Sequence, residues 1–135
     1  MNNEIVIDAE GGVLGRVASY AAKEALKGKK VVIVNCNEAL ITGKRRMIFG
    51  DYKIMRAKRG HSLKGPKFPK VAERIMKRTV RGMLPHKKER GLEAIRNVTC
   101  YDATPTEFEG AEKVSIRKEF KVKVVKLSEV SRELR

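Results

Sequence analysis

Residues 4–35, EIVIDAEGGVLGRVASYAAKEALKGKKVVIVN, decide the fold. Glu4 to Ala9 and Lys30 to Asn35 are short runs rich in Val and Ile, apolar at successive positions, which is the pattern of strands covered on both faces. Between them, Val13 to Lys27 has helical spacing. Leu14, Val17, Ala18, Ala21 and Ala25 fall on one stripe, while Arg16, Ser19, Lys23, Glu24 and Lys27 fall elsewhere. Gly28 supplies the helix stop. Alanines on the stripe allow a close approach to a sheet, so the unit is strand, helix, strand, with a parallel pair and a right-handed crossover.

Downstream, CNEALITGKRR (36–46) holds a short edge strand over Ala39 to Thr42, with Thr42 as the N-cap of a helix from about Lys44 to Lys58. RGHSLKGPKFPK (59–70) is rich in Gly and Pro and has no periodicity, so it is expected to be an exposed connection. A third helix runs from about Pro69 to Met83 and breaks at Gly82–Pro85. A fourth, from about Lys87 to Arg96, leads into Val98 to Tyr101, read as the last core strand and ended by Pro105. From Thr106 onward two patterns compete. Phe120, Val122 and Val124 alternate with Lys121 and Lys123 as in a half-exposed strand, and SEVSREL (128–134) fits a short terminal helix. The chain therefore divides into one α/β domain over 1–105, with a basic helical segment at 43–96, and an extension over 106–135 that packs on the domain or on a binding partner.

At 135 residues the chain buries a core without disulfides or metal. Cys36 and Cys100 form no ligand spacing and are read as reduced, partly buried thiols, which argues against an oxidising compartment. No secretory pattern opens the chain, and no apolar stretch approaches the ~18 residues of a membrane span, so a cytoplasmic protein with no membrane partner is expected. Charge is more telling. There are 31 Lys and Arg against 16 Asp and Glu, a formal +15, of which residues 43–96 carry +14 through 18 cations and 4 acids. A field concentrated in this way points to a polyanion, most simply nucleic acid.

Catalysis finds little support. DAEGGVLGR (8–16) places glycines between a strand and a helix, but Gly11, Gly12 and Gly15 give GGxxG rather than GxGxxG, and Asn35 stands where an acid would end the next strand. ITGKRR (41–46) lacks the earlier glycine of a phosphate loop and has Arg45 where Ser or Thr is needed. His61 and His86 sit in basic loops without a carboxylate neighbour, and no Ser or Cys has a nucleophile's context. Asp51, Glu73, Glu89 and Glu93 read as helix-surface or first-turn charges. No enzyme, cofactor, metal or small-molecule substrate is called for. A nucleotide-dependent α/β enzyme using the GGVLG turn, and a messenger-RNA-binding regulator, remain as alternatives.

The third helix is specific. On a helical wheel Lys70, Lys77, Arg78 and Arg81 lie within about 60° of Arg74, while Ala72, Ile75, Met76, Val80 and Met83 gather opposite. The only acid nearby, Glu73, lies off the stripe, so like charges at i,i+4 repel by a few tenths of a kcal/mol per pair until a phosphate backbone neutralises them. With Trp absent and few aromatics in the basic segment, base stacking by a single-strand reader has no platform. The stripe also lacks the amides of a groove-reading DNA helix. Backbone and shape recognition of a folded RNA fits best. Past the break, Met83 and Leu84 are expected to pin the turn by burial, so that His86, Lys87, Lys88 and Arg90 continue the positive surface in a new direction.

The run FPKVAERIMKRTVRGMLPHKKERGLEAIRNVTCYDATP (68–105) resembles the L-thirteen family of large-subunit ribosomal proteins, whose hallmark is a VRGMLP-type sequence followed by a basic residue and a glycine, here Gly91. The opening DAEGGVLGR helix start, the GKKVVIVN strand and the ITGKR turn are similar to the same family, and the likeness covers residues 5 to about 105. The compact length and the direct passage from KVVIVN to ITGKR are more like archaeal members. The resemblance implies a three-layer α/β/α domain on a small, mainly parallel sheet. It also implies a non-catalytic role in the large subunit, binding 23S rRNA, supporting assembly and translation, and lying beside other ribosomal proteins. By motif it carries over RNA contacts to Arg78, Arg81, His86 and Lys87, and to Lys44 and Arg45 in the TGK turn. Arg74, Lys77, Lys88 and Arg90 rest on the stripe and the corner instead.

Overall fold

The structure is a computed structural model that describes residues 4–57, 69–116 and 122–134. β1 (Glu4–Asp8), α1 (Leu14–Leu26) and β2 (Lys30–Val34) form the expected unit, with β1 and β2 parallel in register from Glu4 against Lys30 to Asp8 against Val34. Leu14, Val17, Ala18, Ala21 and Ala25 are all buried, and Gly28 takes the left-handed backbone (φ +89°) that ends the helix segment. One residue departs from its expected side. Glu24 is buried, with its carboxylate 2.9 Å from Lys29 Nζ and 3.3 Å from Lys27 Nζ. Seven residues after Val17 it comes round to the core stripe, about 20° from it, and it is tolerated there because the ammonium groups of two surface lysines reach its carboxylate.

β4 (Val98–Cys100) pairs parallel with the outer edge of β2, and β5 (Lys113–Ser115) pairs parallel with the outer edge of β1. The sheet order is β4-β2-β1-β5. Val98 to Tyr101 is thus not the last core strand. β5 is, with Val6, Ile7 and Asp8 set against Lys113, Val114 and Ser115. Ile7, Val31 and Ile33 lie in one cluster with the buried faces of α1, α3 (Ala72–Gly82) and α4 (Glu89–Arg96). On the opposite face Val6, Val32 and Val34 are covered by Tyr101, Phe108 and Ala111 from the chain that crosses from β4 to β5, which includes a 3-10 turn at Thr106–Phe108. A mainly parallel sheet layered on both faces is therefore the architecture, as expected, with the second layer much the thinner.

β3 (Leu40–Thr42) pairs antiparallel with β6 (Val124–Lys126) in a separate two-stranded sheet, flanked by α2 (Arg45–Ala57) and α5 (Leu127–Leu134). Thr42 is not the cap of α2. Gly43 (φ +134°) separates it from the helix, and the first helical bond runs from the Ile48 N–H to the Lys44 carbonyl at 3.0 Å. In β6 the expected alternation is reversed: Val125 is buried, whereas Val122 and Val124 are exposed. Pairing with Ile41, and the Gly43 N–H donated to the Lys123 carbonyl at 2.9 Å, fix that register. The terminal helix is present, and Leu127, Val130 and Leu134 enter the same core as α1 and α3. The buried Ser131 hydroxyl donates to the Lys70 carbonyl at 2.6 Å, tying α5 to the approach to α3. Most of the 59–70 connection, His61 and Phe120 lie outside the described residues.

Cys36 and Cys100 are free thiols, the first buried and the second half-buried. The neighbouring Cys100 thiol and burial push the Cys36 thiol up, which keeps it protonated and inert.

Candidate nucleic-acid interface

α3 is oriented by its apolar face. Ala72, Ile75, Met76 and Val80 are buried, which leaves Arg74, Lys77, Arg78 and Arg81 exposed on the far side. Its N-terminus is capped from outside the helix: the Glu73 N–H donates to Asp102 Oδ1 at 2.8 Å, because Val71 at the cap position has no side-chain acceptor. Glu73 itself sits in the first turn, where a negative charge favours the helix dipole, and Glu89 does the same in α4. Arg74, Lys77 and Arg81 have no ion-pair partner among the described residues.

The corner after α3 is built from backbone bonds. The Met83 N–H donates to Val80 and the Leu84 N–H to Arg81, at 3.0 and 3.1 Å, and the Lys88 N–H closes onto the Pro85 carbonyl at 2.9 Å. Leu84 is buried and pins the turn, but Met83 is 45% exposed and does not. The wheel places Met83 inward only if the helix continues, and it stops at Gly82. α4 then returns across the corner so closely that a Cβ on Gly91 would overlap the Pro85 carbonyl group and stand 2.8 Å from the His86 nitrogen. His86 is half-buried, its backbone N–H donates to the Leu84 carbonyl, and its Nδ1 is enclosed with no hydrogen-bond partner among the described residues. Lys87, Lys88 and Arg90 are exposed.

Among the described residues, Arg74, Lys77, Arg78 and Arg81 line a first shallow hollow together with Ile95 of α4, and Arg78, Arg81, Gly82 and His86 line a second. The shared arginines make one continuous positive face from α3 into the corner. Ile95 is the residue that sequence reasoning missed. Its spacing from Gly91 and Ala94 marks it as core, and part of it stays uncovered because α4 packs on α1 and β4 and leaves the space beside α3 open.

Lys44 and Arg45 line neither hollow. They lie at the start of α2, where Arg45 is exposed but has Glu129 Oε1 3.3 Å from its Nη1 and Phe49 under its guanidinium at 4.8 Å. Lys53 pairs likewise with Glu133 at 3.3 Å. Cations on α2 are therefore partly neutralised by α5.

Two amides of the GGVLG turn are bonded internally. The Gly11 N–H bonds to the Glu38 carbonyl and the Gly12 N–H to the Ala9 carbonyl, at 3.2 and 3.0 Å, and a Cβ on Gly12 would come within 2.9 Å of Val17. The carboxyl ends of the strands, where α/β sheets usually hold ligands, are tied together by side chains. Asp8 Oδ1 accepts from the Glu10 N–H and from Asn35 Nδ2, each at 3.0 Å, and Asn35 Oδ1 accepts from the Thr104 hydroxyl at 3.0 Å. Among the described residues no three His, Cys, Asp or Glu gather as metal ligands would, and no helix is long and apolar enough to cross a membrane.

Fold and surface together define a mixed α/β protein whose distinctive exterior is a cationic helix face continued round a rigid corner. The family model described as ribosomal protein L13 matches residues 2–107. The large ribosomal subunit protein uL13 of Archaeoglobus fulgidus is 46% identical over 135 aligned residues, covering 96% of this chain and 86% of that protein. Those of Natronomonas pharaonis and Methanocaldococcus jannaschii are 45% and 42% identical, covering 97% and 96% of this chain and 90% and 96% of theirs. The chain belongs to the ribosomal protein L13 family.

Proposed function

We propose that the protein is a structural, non-catalytic constituent of the large ribosomal subunit in the cytoplasm, and that it binds 23S rRNA and lies against neighbouring ribosomal proteins. Membership of the family, and relatives named as large-subunit proteins, support the first part. The observation that carries RNA binding is the exposed face formed by Arg74, Lys77, Arg78 and Arg81, three of which have no ion-pair partner among the described residues. Such a face neutralises phosphates and releases their counterions. His86, Lys87, Lys88 and Arg90 extend it round the corner. Lys44 and Arg45 form a second contact, the weaker for the partial neutralisation of Arg45 by Glu129. Membership of a ribosomal-protein family counts against the nucleotide-enzyme alternative, and the bonded Gly11 and Gly12 amides leave its glycine turn fewer donors for a phosphate.

Replacing Arg74, Lys77, Arg78 and Arg81 together with alanine is expected to flatten the slope of log affinity for 23S rRNA against log salt by roughly 3. An unchanged slope would mean the face is only solvated. Sucrose-gradient fractionation at low salt tests the wider reading, since a chain absent from large subunits would overturn it.

A further inference from the structure

The first hollow has one apolar side chain, Ile95, among four cations in its lining, which a surface meant only for phosphate does not need. Ile95 is partly buried against the core, and what remains of it faces the space ringed by Arg74, Lys77, Arg78 and Arg81. The cations of the lining can serve a phosphate, but the part of the hollow covered by Ile95 offers it no donor. A nucleobase fits the same chemistry well. Its flat face rests on an apolar side chain, guanidinium planes stack on it, and the phosphates on either side meet the surrounding cations. Three of the four rim cations are arginines, the residue able to do both. The second hollow, lined by Arg78, Arg81, Gly82 and His86, adjoins it through two shared arginines and suits the phosphate of the same nucleotide.

We propose that the hollow between α3 and α4 receives one unpaired nucleobase turned out from a folded RNA, and that Ile95 is the residue on which the base rests. The inference rests on the RNA-binding reading above and narrows it. A base stacked within a double helix cannot offer its face sideways, so the RNA feature recognised here is a loop or bulge rather than a continuous helix. Ile95 then selects RNA structure, whereas the cations around it supply affinity for the backbone.

The full chain carrying a photo-crosslinking benzoylphenylalanine at position 95, bound to a 23S rRNA transcript, tests this directly when crosslinked nucleotides are mapped by reverse transcription. Crosslinks concentrated on one unpaired nucleotide are expected. Crosslinks to paired nucleotides, or to a ribosomal protein in intact subunits and not to RNA, would overturn the proposal. Independently, Ile95→Gln is expected to weaken binding roughly fivefold with the salt slope unchanged, and Ile95→Leu to retain wild-type affinity, melting curves showing that both are folded. A folded Ile95→Gln that binds as wild type would also overturn it. Failure of the unsubstituted protein to bind the transcript would instead refute the RNA-binding reading itself.

Discussion

Gly91→Ala is the most discriminating single substitution, because two opposite effects meet at that residue. Gly91 lies within α4 in a backbone conformation open to any residue, so alanine there should stabilise the helix by up to about 1 kcal/mol. The new Cβ, however, would overlap the Pro85 carbonyl group and stand 2.8 Å from the His86 nitrogen. Those are backbone atoms with no rotamer to move aside. Relief requires α4 to draw away from the corner, which costs about 1–3 kcal/mol of disturbed packing around buried Leu84 and Ala94. It also gives up the Lys88 to Pro85 bond, about 1 kcal/mol more. The net expectation is a loss of about 2 kcal/mol, or roughly 8 °C in melting temperature for a chain of this size. Circular-dichroism melting of the free protein measures it. Gly82→Ala is the control: it also lies in a helix, but its Cβ would enter open space, so that variant should melt no lower than wild type. If Gly91→Ala melted as high as Gly82→Ala, close packing would not be the reason for a glycine at position 91.

Glu24→Gln should cost about 1 kcal/mol at neutral pH, since it removes the carboxylate that Lys29 and Lys27 hold. Lys29, opposed by burial and helped by Lys27, keeps that carboxyl below its ordinary value of 4.5, so its contribution is present above that pH and is lost as the pH falls through the depressed folded value. Melting temperatures of wild type and variant should therefore converge in acid, and a gap that stayed constant would refute the assignment. Ser131→Ala removes the bond from the buried hydroxyl to the Lys70 carbonyl and should lower stability by about 1 kcal/mol, roughly 4 °C. An unchanged melting curve would show that the bond does not hold α5 in place.

Local pattern made much of this fold legible. The β1-α1-β2 unit and the α3 stripe declare themselves because one apolar period runs through each. Glu24 enters the core because its wheel position outweighs its charge once Lys27 and Lys29 reach it. β5 was missed because a three-residue strand with one apolar side chain, Lys113–Ser115, has no period to detect and is defined only by its partner β1. Val125 went to the core in place of Val122 and Val124 because pairing with β3, not hydrophobicity, sets the register. At the site, the exposed cations of α3 were readable as the side of the helix that does not pack. The enclosed His86 Nδ1, the Gly91 approach and the exposed part of Ile95 all depend on the path of α4 after the corner, which is a long-range result of packing.

Asp102 gives the last consequence. By accepting from the Glu73 N–H it fixes the beginning of α3, while the corner under α4 fixes its end, so the backbone carrying the cations is held at both termini before any ligand arrives. Among the described residues, the backbone of this face needs no lid or hinge to take its shape. If the face binds as proposed, the ordering entropy on that part of the protein falls on arginine and lysine rotamers, and more of the shape change falls to the polyanion. The helix would then act as a mould for a more pliable partner.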